Sequence, residues 1–476
     1  MDAPRKTYRP WNPDAYRQQA HSPLSKLPEG DLVFFVLDLV PQLDLRAIYA
    51  PYEDQLRGAP PFDPRLMTCL WLYAYAVGVF SSRKLATACE RNLAFLAIVG
   101  NDRPDFRTLS DFRKIHLDAL ADLFSCVLKL AHEAGLVQLG AWATDGSKIP
   151  GNASRHKAMS YGYMNKEEER LKAEIADLLK QAQQIDAQED AALGSHRDDE
   201  LPAELQFREQ RLAKIQEAKK RLEEQARAAA EAERQRRAES EEAVRQGHKH
   251  AGGQPAQPLS EVPDDKAQTS FTDPELKIMQ QNNKGWDYGG NSQVVVDDAC
   301  QIIVGCDVVI ETNDKQQAVP MAEKALAELE KAGIDRPRDA QGEVQKIASL
   351  QDAGYFSEKA VSGLEALHFE PYMAVERQKH HAPLEASMVP QELAAQAKVA
   401  TAKEKMRAKV RMERGRAVYG LRKGLVEPVF GQIKAARGFR RFSLRGLEKV
   451  RKEGRLVCLT HNLLKLWRYH YVPSKN

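Results

Sequence analysis

Hydrophobic residues recur at helical spacing from residue 24 to about residue 135, in short segments with polar ends. Asp63–Pro64 predicts the start of an apolar helix that runs to Phe80. Ser81–Ser82 predicts the start of a second helix, and the capping-box pattern Thr108–Asp111 predicts that of a third. Short helices of this kind are typical of a compact DNA-binding unit. A purely structural helical domain fits the pattern almost equally well.

After residue 135 the pattern changes to short apolar runs that predict strands. The first run, residues 138–144, ends at Asp145, and a later run, residues 344–350, ends just before Asp352. The remaining predicted elements are a hairpin of 292–297 and 301–310, a helix over 320–332, a helix over 358–367 and a strand over 371–375. The sequence therefore predicts an α/β core with a mixed five-stranded sheet and carboxylates at strand ends.

A third pattern occupies residues 165–250, which are rich in Ala, Glu, Gln, Lys and Arg. Leu171, Ile175 and Leu178 follow the alternating steps of a heptad, and the frame continues beyond a break near residues 194–202. The pattern predicts a coiled coil on both sides of a turn. An intramolecular antiparallel hairpin and an intermolecular coiled coil both fit. Residues 252–263 are predicted to be a polar linker.

The positive charge of the chain is small in total but concentrated in one segment. The whole chain of 476 residues carries a net charge of +3, but residues 398–455 hold 19 Lys and Arg against five Glu and no Asp. Such a segment favours a surface for a polyanion. The six cysteines form no C-x-x-C pair, and no apolar run reaches the length of a membrane helix. We therefore expect no membrane association and a cytoplasmic protein with reduced thiols.

Carboxylates at strand ends are a suitable frame for Mg²⁺, which prefers oxygen ligands. Glu427 is the candidate third acid beside Asp145 and Asp352, because Glu427, Phe430 and Lys434 share one face if their segment is helical. The following residue, Pro428, disfavours helical backbone at Glu427. We therefore expect Glu427 at a kink or in a first helical turn.

Several motifs in order carry a family resemblance. The segments Asp145–Lys148, Gln351–Ser357 and Val426–Lys434, with Pro60–Arg65 and Pro104–Arg113 before them, resemble bacterial insertion-sequence transposases of the DDE class. The resemblance implies an RNase H-like catalytic core and two Mg²⁺ ions, for which Mn²⁺ can substitute. It also implies binding to double-stranded DNA at terminal inverted repeats, cleavage by water, and attack of a 3′-hydroxyl on target DNA.

Carried over by residue, the resemblance implies that Asp145, Asp352 and Glu427 are the catalytic, metal-binding triad. The Tyr-Arg-Glu-Lys signature is matched by Tyr419, Glu427 and Lys434, with either Arg422 or Lys423 as its second member. The residues expected to contact DNA are Lys148, Tyr419, Arg422, Lys423, Lys434, Arg437, Arg440, Arg441, Arg83, Lys84 and Arg113.

The predicted organisation places four regions along the chain. They are a basic and aromatic arm (1–20), a helical N-terminal DNA-binding domain (21–135), an RNase H-like catalytic domain (136–164 and 265–476) with basic C-terminal helices, and a coiled-coil insertion with its linker (165–264). We expect a homodimer, because two element ends must be brought together, in a bacterial, nucleoid-associated setting. A catalytically inactive DNA-binding regulator and an RNase H-like structure-selective nuclease are the alternatives.

Overall fold

The computed structural model describes residues 6–12, 22–53, 59–100, 102–154, 157–193, 203–245, 260–281, 284–376 and 401–471. Most of the predicted arm and of the predicted linker lies outside the described residues. The described part divides into two compact units. One lies within Met1–Gly151, Met279–Gly285 and Gly289–Asn476, and the other within Asn152–Ile278 and Trp286–Tyr288.

The N-terminal part of the first unit is helical, as predicted. Its helices are α1 (Leu32–Leu39), α2 (Arg46–Glu53), α3 (Pro64–Ala76), α4 (Ser82–Arg91), α5 (Leu93–Val99), α6 (Phe106–Ile115) and α7 (Leu117–Glu133). The Asp63 carboxylate caps α3 by accepting the Arg65 N–H at 2.8 Å. This helix ends four residues before Phe80, since Gly78 adopts a φ of +86° that ends the helical path.

The predicted capping box at Thr108–Asp111 is wrong. Helix α6 starts earlier, at Phe106, because the Asp105 carboxylate accepts the backbone N–H groups of Arg107 and Thr108, both at 2.8 Å. Thr108 therefore lies inside the helix. Asp105 and Thr108 lie three residues apart, and either side chain can cap a helix, so the local pattern alone did not show which of them does.

A mixed sheet forms the centre of the first unit. It contains β1 (Ala141–Pro150), β4 (Lys277–Gln280), β5 (Trp286–Asp297), β6 (Ile303–Val309), β7 (Ile347–Gln351) and β8 (Phe369–Met373), with helices α10 (Ala318–Ala332) and α11 (Glu358–Ala366) in the connections. The order is β4-β5-β1-β7-β8, and β6 pairs with β5. Strands β5 and β6 run antiparallel to their neighbours, whereas β7 and β8 are parallel to theirs. The sheet thus has six strands rather than five, since β4 was not predicted.

The prediction that the first strand stops at Asp145 is also wrong. Strand β1 starts at Ala141 and continues through the acid to Pro150, because β5 pairs with it from Trp142–Asp297 to Pro150–Gly289. The backbone of Asp145 is therefore held by pairing with β5, near the middle of the strand. A carboxylate in this position has a fixed backbone, whereas one in a turn does not.

The C-terminal part contains α12 (Ala402–Arg411), α13 (Glu413–Gly431), a π-helical turn (Gln432–Ala436) and α14 (Leu447–Tyr471). Helix α13 continues through Pro428, so Glu427 lies in its last turns and not at a first turn. Burial of Leu425, Val426 and Val429 on this stretch explains why the helix persists despite the proline.

Helix α14 joins the N-terminal helices to the sheet. Tyr75 in α3 donates a hydrogen bond to Glu453 at 3.2 Å, and Arg455 donates to Glu328 in α10 at 2.8 Å. The N-terminal helices and the sheet share one buried core. No boundary between compact units therefore appears near residue 135 in the described structure.

The second unit contains a two-stranded ribbon, β2 (Ala158–Ser160) with β3 (Gln268–Ser270), and two long helices, α8 (Tyr161–Leu193) and α9 (Ala203–Arg245). The helices contact each other in antiparallel order. Glu174 pairs with Arg208 at 3.0 Å, whereas Tyr161, at the start of α8, donates to Glu223 at 2.8 Å. Of the two arrangements that the sequence left open, the chain shows the intramolecular antiparallel one. Among the described residues no helix has the length and apolar character needed to cross a membrane.

Candidate active site

Asp145 and Asp352 occupy matching positions on neighbouring strands. Strands β1 and β7 are parallel, and their register ends with the pair Ala143–Leu350. Each aspartate lies two residues beyond that pair, Asp145 within β1 and Asp352 directly after β7. Adjacent strands lie about 4.8 Å apart, and residues at matching positions face the same side of the sheet. The structure therefore brings these two predicted acids together.

The Asp145 carboxylate is partly buried, and its surroundings disfavour its ionised form. Its Oδ2 accepts a hydrogen bond from Arg422 Nη1 at 3.2 Å, and its Oδ1 accepts the Gly146 N–H at 2.8 Å. Burial, with smaller contributions from the Asp352 and Asp314 carboxylates, raises the pKa of Asp145 to about 6 against the lowering effect of Arg422. A cation bound between these carboxylates would relieve this cost.

Arg422 and Tyr419 approach the two aspartates from α13. Burial alone would lower the pKa of Arg422, but Asp145, Tyr419 and Asp352 hold it above its ordinary value. Burial raises the pKa of Tyr419, so its hydroxyl stays protonated at neutral pH. Arg422, rather than Lys423, is thus the signature cation that faces the carboxylates, whereas the Lys423 side chain is exposed.

The predicted triad is not assembled. Glu427 is exposed on α13. Nowhere in the described ranges do three His, Cys, Asp or Glu side chains lie close enough together to hold a metal ion. The structure therefore brings together two of the three predicted acids.

Lys434, in the π-helical turn, is tied to the strand that carries Asp145. Its Nζ donates to Ser147 Oγ at 2.5 Å and to the Lys148 carbonyl at 2.8 Å. Burial lowers the pKa of Lys434 to about 8, so the ammonium is still mostly protonated at pH 7. Lys148 itself is half-buried. Lys148 thus lies three residues after Asp145 on β1, and Lys434 contacts the same strand.

The other cations expected to contact DNA fall into two groups. Arg437 and Arg113 are buried, and their contacts are internal: Arg437 donates to Thr460 Oγ1 at 2.8 Å, and Arg113 donates to the Phe80 carbonyl at 2.8 Å. These guanidinium groups hold helices together in this structure and do not face solvent. The exposed members are Arg83, Lys84, Lys423, Arg440 and Arg441.

Four polar residues next to the aspartates were not among the predicted site residues. Asp314, between β6 and α10, accepts hydrogen bonds from Asn291 Nδ2 at 2.7 Å and from Gln293 Nε2 at 2.5 Å. The buried Tyr355 hydroxyl donates to Gln293 Oε1. Asn291 and Gln293 are two residues apart on β5, so their side chains lie on the same face of the strand. This spacing could have identified them as a pair. Asp314 carries no periodic signal that could have identified it.

The donor set around Asp145 and Asp352 fits a hard divalent cation. The available ligands are carboxylate oxygens, which suit Mg²⁺ and Mn²⁺. Burial raises the pKa of Asp145, and the Asp352 and Asp314 carboxylates add to the rise, so a bound cation would stabilise the ionised form. Two carboxylates also match the number that a magnesium site commonly takes from protein when phosphate supplies further oxygens.

Two family models match the chain. The Transposase DDE domain matches residues 386–467, and the Transposase domain (DUF772) matches residues 21–115. The first match includes α13 with Arg422 and Glu427, and the second includes α1 to α6. Asp145 and Asp352 lie outside both matched ranges. No curated protein and no solved structure matches the chain.

Proposed function

Both family matches confirm the resemblance to insertion-sequence DDE transposases, and from this premise we propose that the chain binds the terminal inverted repeats of an insertion sequence, cleaves DNA there and joins the ends to target DNA. The observation that carries the proposal is the placement of Asp145 and Asp352 at matching positions of parallel strands, opposite Arg422. The mixed sheet, antiparallel on one side of β1 and parallel on the other, supports an RNase H-like core.

In this proposal Asp145 and Asp352 hold Mg²⁺, and Glu427 joins them when DNA is bound. Two such ions supply the positive charge that activates the attacking water or 3′-hydroxyl and stabilises the leaving oxygen. Glu427 lies on the same helix as Arg422, which already contacts Asp145. Because side chains five residues apart on a helix point about 140° apart, α13 has to rotate or rearrange to turn the Glu427 carboxylate toward the two aspartates.

The cations around the site have separate roles. Arg422 neutralises Asp145 in the DNA-free chain, and we assign it to a DNA phosphate once metal takes over that charge. Lys434 orients β1 through Ser147 and the Lys148 carbonyl. The exposed cations Arg83, Lys84, Lys423, Arg440 and Arg441 hold the backbone of DNA, so affinity should fall steeply with salt.

The proposal includes a homodimer that brings two element ends together, in the cytoplasm on the nucleoid. A DNA-binding regulator would bind ends without cutting them. A structure-selective nuclease would cut without joining. One assay with DNA from the borders of the gene, Mg²⁺ and a second target duplex distinguishes the three, because only a transposase transfers the cut strand.

Asp352→Asn tests the site directly. We expect this variant to bind border DNA as the wild type does and to lose Mg²⁺-dependent cleavage by at least about 100-fold. The matched control is Asp335→Asn, which changes an exposed aspartate on the same unit and should cleave normally. Normal cleavage by Asp352→Asn would remove Asp352 from the site.

A further inference from the structure

A polar cluster lies beneath the two aspartates, formed by Asn291, Gln293, Asp314 and Tyr355. Tyr355 and Gln293 are both fully buried. The tyrosine hydroxyl fixes the orientation of the Gln293 amide by donating a hydrogen bond to its oxygen. The amide NH₂ therefore points at Asp314, to which Asn291 also donates. Both donors are neutral amides, so neither cancels the negative charge of Asp314.

The cluster lies against the backbone on either side of the site. Gly146 follows Asp145, and a Cβ there would lie 2.7 Å from Asp314 Oδ1 and 2.8 Å from Asn291 Oδ1. A Cβ at Gly354 would lie 3.0 Å from Asp352 Oδ1 and 3.9 Å from Asp314 Oδ2. Asp314 thus sits between the chain segments that carry the two acids, and the absence of a side chain at Gly146 allows this approach.

The register places Asn291 and Gln293 on the opposite face of β1 from Asp145. Gly146 pairs with Gln293 and Lys148 with Asn291, whereas Asp145 pairs with Val294. Directly opposed residues point to the same face, and successive residues along a strand point to opposite faces. Asn291 and Gln293 therefore lie on the Gly146 face of β1, whereas the Asp145 side chain leaves the strand on the other face.

We propose that Asp314, oriented by Asn291, Gln293 and Tyr355, is a positioning residue that fixes the separation of Asp145 and Asp352 and adds negative charge for a divalent ion. This inference rests on the proposed function, since it assigns the ion to those two acids. The cluster links the strand of one acid to the turn of the other: Tyr355 follows Asp352 by three residues, and Gln293 pairs with Gly146. Mutation of a residue that orients metal ligands without touching the metal typically changes the metal affinity by about 10–100-fold.

The experiment measures Mn²⁺ affinity by electron paramagnetic resonance, on the full chain with and without border DNA. Asp314→Asn keeps the size of the side chain and removes its charge, and we expect about 10-fold weaker binding of Mn²⁺. Tyr355→Phe removes one hydroxyl and should weaken binding by about threefold. The matched control is Glu311→Gln, a charge change at an exposed residue three positions before Asp314, which should bind as the wild type does.

A purely structural role predicts a different result. If Asp314 only supported the fold, Asp314→Asn would lower stability to urea but leave the Mn²⁺ affinity of the folded protein unchanged, and the inference would be overturned. Cleavage as a function of Mn²⁺ concentration gives a second measure: a higher half-saturating concentration with kcat retained supports positioning. Should Asp314→Asn fail to fold, Tyr355→Phe decides alone, and unchanged affinity in it overturns the inference.

Asp352→Asn separates this inference from the proposed function. If the wild type and Asp352→Asn bind Mn²⁺ equally, or neither binds it, the metal site and the inference both fail. If Asp352→Asn loses binding while Asp314→Asn and Tyr355→Phe keep the wild-type affinity, the proposed site survives and the inference alone fails.

Discussion

Replacing Asp145 by asparagine tests the electrostatics of the site without DNA. In the metal-free protein the Asp145 carboxylate is 21% exposed and lies near two other carboxylates, with Arg422 as its cationic partner. Asparagine has the same shape, carries no charge and still accepts a hydrogen bond from Arg422. We therefore expect Asp145→Asn to make the metal-free protein more stable at pH 8, although it should abolish activity.

The magnitude follows from the pKa of Asp145, which rises from 3.8 to about 6 on folding. One pKa unit corresponds to about 1.4 kcal/mol, so ionising Asp145 costs the fold up to about 3 kcal/mol. This cost already includes the attraction of Arg422. Partial exposure of the carboxylate reduces it, so we expect Asp145→Asn to gain about 1–3 kcal/mol at pH 8.

The gain should depend on pH in a defined direction. Because folding raises the pKa of Asp145, the cost is absent below the unfolded value of 3.8, grows through the interval up to about 6, and is constant above it. Urea unfolding at pH 8, 6 and 4 measures it. The stability difference between Asp145→Asn and wild type should be largest at pH 8, be reduced at pH 6 and nearly vanish at pH 4.

Two measurements complete the test. Asp335→Asn, at an exposed aspartate, should differ little from wild type at every pH. Millimolar Mn²⁺ should stabilise the wild type and not Asp145→Asn, because only the wild type keeps both acids of the proposed site. An Asp145→Asn protein less stable than wild type at pH 8, or a difference that stays constant from pH 8 to pH 4, would refute the reasoning.

Two further predictions concern the core that joins the N-terminal helices to the sheet. Glu328→Gln should lower the free energy of unfolding by about 3–5 kcal/mol in urea titrations, because it removes the buried negative charge that neutralises the Arg455 guanidinium; a loss below about 1 kcal/mol would contradict this. Gly78→Ala should destabilise more than Gly135→Ala, since both glycines have positive φ but only a Cβ at Gly78 meets the Arg437 carbonyl. Equal losses in the two alanine variants would show that this contact relaxes.

Local pattern predicted the elements better than their ends. Strand β6 and the helices α10 and α11 lie within two residues of their predicted bounds, whereas β5 starts at Trp286, six residues before its predicted start. Strand β1 was predicted too short because its second half contains polar residues, and only pairing with β5 keeps it extended. Glu427 was predicted to lie at a kink or in a first turn because of Pro428, yet burial of Leu425, Val426 and Val429 beside the proline maintains the helix through it.

The sequence predicted two acids that the fold brings together, but not which cations are buried. Asp145 and Asp352 follow apolar runs, and parallel strands bring such positions together. Arg113 and Arg437 were expected to contact DNA, but their guanidinium groups are buried and paired. Density of charge along the chain carries no information on which side chains face inward.

The part of the site that sequence reasoning missed depends on distant contacts. Asp314 meets Asn291 and Gln293 from positions 23 and 21 residues away, across a turn and a strand. Its segment has no periodicity, and aspartate in a connection is common in turns. Only the folded sheet shows that this carboxylate adjoins Gly146.

The point at which the helical insertion leaves the sheet has a consequence for engineering. Strand β2, directly before α8, pairs with β3, which follows α9, so the chain enters and leaves the helical pair across a single interstrand gap. Closing a loop between such neighbours costs only about 0.6 kcal/mol more for each doubling of its length. A fluorescent reporter or an affinity module grafted in place of α8 and α9 would therefore leave the register of β2 and β3 intact.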